Sequence, residues 1–166
     1  MAERRLFALV RALAEARIDF VVVGGLAAVL DGAPIATFDV DVVYSREPGN
    51  LDRLLDVLGR LNAFFRTQPE RRMRPARSHL AGSGHLNLST LHGPLDLLGT
   101  IGRGRGYEDL LPHTVEMDLG DEVRIQVLDL GTVIAIKEEV GGEKDLAALP
   151  ILKRTLREQQ DPGGGQ

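Results

Sequence analysis

The segment TFDVDVV, residues 37–43, carries two carboxylates two residues apart in a run that otherwise reads as a buried strand. Successive strand residues point to opposite faces, so Asp39 and Asp41 share one face while Val40 and Val42 share the other. Their Cα atoms would lie roughly 7 Å apart, close enough for the carboxylates to converge on one cation. Without a cation or donors, two such groups repel and at least one pKa rises. An edge strand with one wet face accounts for the alternation as well, because charge there limits aggregation.

The flanking sequence predicts alternating helices and strands. Leu6, Leu9, Val10 and Leu13 repeat at helical spacing, with Glu3, Arg4, Arg11 and Glu15 on the other face. Residues 20–23 (FVVV) read as a buried strand ended by Gly24-Gly25. LAAVL then begins a helix that stops at Asp31-Gly32-Ala33-Pro34. The next strand runs from Thr37 to Tyr44. Asn50 is placed to cap a third helix with Leu51, Leu54, Leu55, Leu58 and Leu61 as its stripe.

Phe64-Phe65 reads as a short strand, and residues 66–84, with Pro69, Pro75, Gly82 and Gly84, as a mobile loop. Residues 85–91 and 94–100 form paired strands, Tyr107 to Leu111 a helical turn, and 114–119 with 122–128 a hairpin about the two-residue turn Gly120-Asp121. Asp129 caps a helix through Val140. Gly141-Gly142 breaks it, and Lys144 to Gln160 continues with Leu146, Leu149, Leu152 and Leu156 inward. The expectation is an α/β domain over residues 1–160, a small mixed sheet flanked by helices, with 161–166 a disordered tail.

Composition narrows the function classes. A net charge of -4 argues against a chain that coats nucleic acid throughout, but leaves room for a local basic patch. The absence of cysteine excludes disulfides, thiolate zinc sites and cysteine nucleophiles, so a metal must be held by oxygen or imidazole. Arg11, Glu15 and Arg17 interrupt any leader-like apolar region, and the longest apolar run, residues 20–30, is about half the roughly 20 residues that cross a bilayer. A soluble cytoplasmic protein without membrane contact is expected. The four histidines show no ligand spacing, and Ser83 and Ser89 have no recognisable base partner.

Magnesium suits paired carboxylates, because it takes one or two of them and completes its shell with water and phosphate, so a nucleotide is the expected partner. Gly24-Gly25, between a strand and a helix start, can present free N–H groups to phosphate, although a tight turn alone explains them; there is no G-x-G-x-x-G or Walker lysine. Asp96 interrupts the apolar run between Leu95 and Leu97, where a buried carboxylate needs a partner or a metal, unless it points to solvent. Arg66, Arg71, Arg72, Arg74 and Arg77 fall within twelve residues, and Arg103 and Arg105 follow the Asp96 strand. They form either a phosphate- or RNA-holding surface or solvated loops. Lys137 reads equally as a surface lysine whose stem covers core edge.

The order VVVGGLAAVLDG, T-x-D-V-D, T-x-x-G-x-L-D-L-L, Y-E-D-L-L, V-L-D-L-x-x-V-I-x-I-K and G-G-E-K-D-L resembles the minimal nucleotidyltransferase-fold (polymerase-beta-like) proteins. It is closest to the abortive-infection type of toxin nucleotidyltransferases, over about residues 20–152. The resemblance implies that Gly24, Gly25, Thr37 and Lys137 bind a nucleoside triphosphate, ATP among the candidates. It implies that Asp39, Asp41 and Asp96 hold two magnesium ions, with manganese the alternative, and act in catalysis. A nucleoside monophosphate would pass to an acceptor hydroxyl, RNA such as a tRNA 3′ end or else a protein. Arg71, Arg72, Arg74, Arg77, Arg103 and Arg105 would contact RNA or phosphate, and the chain would be the toxin of a pair with a cognate antitoxin. Ile35 and Phe38 stand where relatives often carry basic residues, which keeps a non-catalytic nucleotide- or protein-binding module as the alternative.

Overall fold

The computed structural model describes residues 2–161. Its strands are β1 (Phe20–Val23), β2 (Val40–Tyr44), β3 (Phe64–Phe65), β4 (His85–Thr90), β5 (Gly93–Leu98), β6 (Thr114–Asp118) and β7 (Arg124–Leu128). Among the described residues they form one mixed sheet of order β3-β4-β5-β2-β1-β7-β6, in which β2–β5 and β1–β7 are parallel and the other pairs antiparallel. The helices are α1 (Ala2–Glu15), α2 (Gly24–Leu30), α3 (Pro48–Arg60), α4 (Arg77–Ala81), α5 (Tyr107–Leu110), α6 (Leu130–Val140) and α7 (Glu143–Gln160). The α1 helix packs on β2, β5 and α3, while α2 packs on β1, β2, β7 and α6, and α7 lies along α6. The expected mixed sheet flanked by helices is the one observed, and no helix among the described residues is long and apolar enough to cross a membrane.

Aliphatic burial drives this arrangement. Leu6, Leu9, Val10 and Leu13 of α1, and Leu51, Leu54 and Leu58 of α3, are buried against Val40, Val42, Leu95 and Leu97 of the central strands. Each such side chain contributes roughly 1.5–3 kcal/mol. The D-x-D strand differs from expectation in two ways. It lies at the middle of the sheet between β1 and β5, which removes the edge-strand account of its carboxylates. It also starts at Val40 rather than Thr37, because its last pair with β1 is Val23↔Asp41 and beyond that point the β1 chain has turned into α2.

Asn50 does not cap α3. The helix starts at Pro48 with Glu47 before it, and Asn50, 1 % exposed, points inward. Its Oδ1 accepts from the Asp19 backbone N–H at 2.7 Å, and its Nδ2 donates to the carbonyls of Ser45 (2.7 Å) and Asp19 (3.2 Å). It therefore joins the entry of β1 to the exit of β2. The 66–84 segment holds more structure than a loop: a 3-10 turn at Pro69–Arg71, then α4, pinned by the buried Leu80, whose carbonyl accepts from the Tyr44 hydroxyl at 2.6 Å.

The β6–β7 connection closes on a Leu119–Val123 pair about three residues, since Gly120, Asp121 and Glu122 all take positive φ, rather than on a two-residue turn. In α7, Leu149 and Leu152 are buried, but Leu146, displaced around the helix from their stripe, is 49 % exposed. Asp129 caps α6 as expected, accepting from the Thr132 N–H at 2.7 Å. Of the tail expected to be disordered, all but Asp161 lies outside the described residues.

The carboxyl of Asp31, at the C-terminal end of α2, has a buried Oδ2 with no hydrogen-bond partner. Burial, and then the charge of Asp129, push its pKa up to about 7. A raised folded pKa favours the folded state fully below the ordinary Asp range of about 3.8, and that contribution is lost as pH rises to about 7. The melting temperature of Asp31→Asn should therefore fall less than that of the wild type between pH 5 and 7.5; equal falls would exclude this role. Asn50→Ala leaves several buried backbone groups unpaired and should cost about 2–3 kcal/mol in urea unfolding.

Candidate functional site

Strand register builds the site. Asp41 of β2 is aligned with Asp96 of β5, Asp96 with Asn87 of β4, and Asp41 with Val23 at the end of β1. Residues directly opposite in a sheet project to the same face, so both carboxylates emerge side by side at the centre of the sheet. Burial raises the Asp41 pKa first. A hydrogen bond to the Asp96 carboxyl and the negative charges of Asp96 and Asp39 raise it further, Arg66 opposes them, and the result is about 7.

Asp96 has a second partner. Arg66 donates from Nη2 to Asp96 Oδ1 at 2.7 Å and from Nη1 to the Leu88 carbonyl at 2.9 Å. Asp39 lies at the bend before β2, half-buried, where its charge reaches Asp41. Its backbone carbonyl accepts from the Thr37 hydroxyl at 3.4 Å.

The glycine pair is required sterically. Gly24 has φ +63°, and a Cβ there would stand 2.5 Å from Asp41 Oδ2; a Cβ on Gly25 would stand 2.9 Å from Thr37 Oγ1. Only glycine lets the chain turn from β1 into α2 at this distance from the carboxylate.

Gly24 and Asp41 open onto a cleft of about 340 Å³ whose wall is aliphatic, from Leu98, Ile101 and Ile136, with Lys137 on it. Lys137 of α6 is bound to Asp145 of α7 at 3.2 Å. The structure therefore brings Gly24, Asp41 and Lys137 to one cleft, with Asp96 beside Asp41 and with Gly25 and Thr37 next to them.

The basic residues are placed otherwise. Arg72 stacks over the Phe64 ring at 4.4 Å from its centroid, Arg74 donates to Asn62 Oδ1, and Arg77 pairs with Asp52 at 3.0 Å, docking the 66–84 segment on α3 and β3. Arg71, in the preceding 3-10 turn, is exposed. Arg105 forms a two-pronged pair with Glu139 that ties the 101–105 loop to α6, and Arg103 lies beside it. These side chains are not gathered at the carboxylates; the arginine that reaches them is Arg66.

Among the described residues, no three acidic or imidazole groups stand arranged to hold a metal. The donor set that is assembled, two adjacent carboxylates, has the chemistry that suits a divalent cation such as magnesium completed by water and phosphate oxygens. Sequence reasoning placed Arg66 only within a basic run; its pairing depends on the β3–β4–β5 register, for which the sequence carries no local signal.

No protein-family model matches the chain, and no curated protein matches it. A solved structure from Thermotoga maritima, of a protein provisionally described as a nucleotidyltransferase, is similar to it with a TM-score of 0.52 and 15% sequence identity, over 94% of this chain and 91% of that one. The chain has the nucleotidyltransferase fold.

Gly24→Ala, which adds both the contact with Asp41 and an unfavourable positive φ, should cost about 1–3 kcal/mol in urea unfolding. An unchanged midpoint would show that the turn relaxes without moving Asp41.

Proposed function

We propose that the chain transfers a nucleoside monophosphate from a nucleoside triphosphate to an acceptor hydroxyl. The observation that carries this reading is the Asp41–Asp96 pair, aligned by the parallel β2–β5 register, with Asp41 lining the cleft that also holds Gly24 and Lys137. The nucleotidyltransferase fold is consistent with it. In this reading the aliphatic wall takes the nucleoside, and Lys137 neutralises phosphate charge. Gly24 keeps backbone alone beside Asp41, leaving room for phosphate.

Magnesium bound through Asp41 and Asp96, with Asp39 beside them, would supply Lewis-acid polarisation and charge neutralisation. In this reading Asp96 would accept the hydroxyl proton as the acceptor oxygen forms its bond to the α-phosphorus. The bond to the bridging oxygen breaks, and pyrophosphate leaves with that electron pair. RNA is the proposed acceptor, with exposed arginines such as Arg71 to meet its backbone.

Incubation with total RNA, magnesium and each α-labelled triphosphate should label RNA. Asp41→Asn should lower the label by about 100-fold or more, as expected for loss of metal-assisted charge stabilisation. Label that persists in the variant would overturn the assignment of Asp41. Calorimetry that finds no magnesium-dependent binding of any of the four common triphosphates would overturn the transferase reading. Binding without transfer to any acceptor would favour a nucleotide-binding module, a role that Phe38, 71 % exposed where relatives are often basic, also fits.

A further inference from the structure

The geometry points to Arg66 as a built-in cation that occupies, on Asp96, the place of a second metal ion, so that the site takes one divalent ion per chain. This rests on the transferase reading of the same carboxylates but departs from the two-ion arrangement that the sequence resemblance implies.

Three anchors fix Arg66. Its backbone N–H donates to the Asn87 carbonyl at 3.0 Å, its Nη1 to the Leu88 carbonyl at 2.9 Å, and its Nη2 to Asp96 Oδ1 at 2.7 Å. Arg66 stands in the turn directly after β3, and because Asn87 is the strand partner of Asp96, and Asp96 of Asp41, its side chain extends across β4 to the carboxylates from a backbone still held to that strand. The contact is a charge-assisted hydrogen bond from a guanidinium to a carboxylate. The side chains of Asp96 and Arg66 are 15% and 31% exposed, so solvent and salt screen the pair less than a surface ion pair.

A second divalent ion on Asp96 would have to break this bond or sit against a fixed positive charge. One ion avoids both. Arg72, Arg74, Arg77 and Arg105 are engaged elsewhere, so Arg66 is the arginine that structure and charge select for this role.

The test is electron paramagnetic resonance of the full chain with manganese and α,β-methylene-ATP. Two ions in one site lie about 3.5–4 Å apart and couple, whereas a single ion gives an isolated six-line spectrum. The wild type should bind one uncoupled ion. Arg66→Met and Arg66→Gln, checked for folding by circular dichroism, should each bind two and show the coupled spectrum.

A coupled pair in the wild type overturns the inference while leaving the transferase reading intact, and this result needs no variant. A single uncoupled ion in folded Arg66→Met and Arg66→Gln also overturns it, since Arg66 would not be what excludes the second ion. No protein-bound manganese in the wild type overturns both this inference and the reading on which it rests.

Discussion

Asp41 and Asp96 stand side by side on a parallel strand pair at the centre of the sheet, among the buried Val and Leu of β1, β2 and β5, and the rest of the site follows from keeping them there. Two carboxylates in that position are costly: burial disfavours their charge, and burial and then the neighbouring Asp96 raise the pKa of Asp41. The structure offsets part of this cost without any ligand, because Arg66 neutralises Asp96 from the side of β4. The aliphatic core on the opposite face, from α1, α3 and the inward residues of β2 and β5, supplies the stability that makes such a pair tolerable.

The same constraint explains the turn at Gly24. The chain must leave β1 just beside Asp41 and enter α2 without placing a side chain on the carboxylate, which requires both a positive φ and no Cβ. The turn ends the pairing of β1 with β2, so Thr37 to Asp39 leave the sheet and bend over the glycine pair. The irregular stretch before β2 is thus a consequence of the glycine turn, and it is what leaves Phe38 in solvent.

The arginine-rich segment shows how composition can mislead about position. Its charges are spent largely on docking: Arg77 on α3, Arg74 at the end of α3, Arg72 on the face of Phe64. Arg66 differs because it follows β3 directly, where the backbone is still held to β4, and sheet register carries it to the acidic pair. A formally basic surface loop is therefore mostly structural, with its one site-directed charge at the point where it leaves the sheet.

The helices at Leu6–Leu13 and Leu51–Leu61, the strand at 20–23, the hairpin partners and the Asp129 cap were legible in the sequence because each depends on short-range periodicity or a local hydrogen bond. So were Asp41 and Asp96 as residues that stand out, since a carboxylate in each of two apolar runs is a conspicuous local cost. Asn50 was misplaced because a cap and a buried staple are the same residue type near the same helix end, and only the position of Asp19 and Ser45 separates them. The sequence by itself determined the elements and the residues capable of chemistry, because periodicity and residue type act over a few positions. Only the tertiary structure decided that β2 is central and not an edge, that Asp41 meets Asp96, and that Arg66 rather than its neighbours joins them, because those facts depend on strand order and register between residues far apart in the chain.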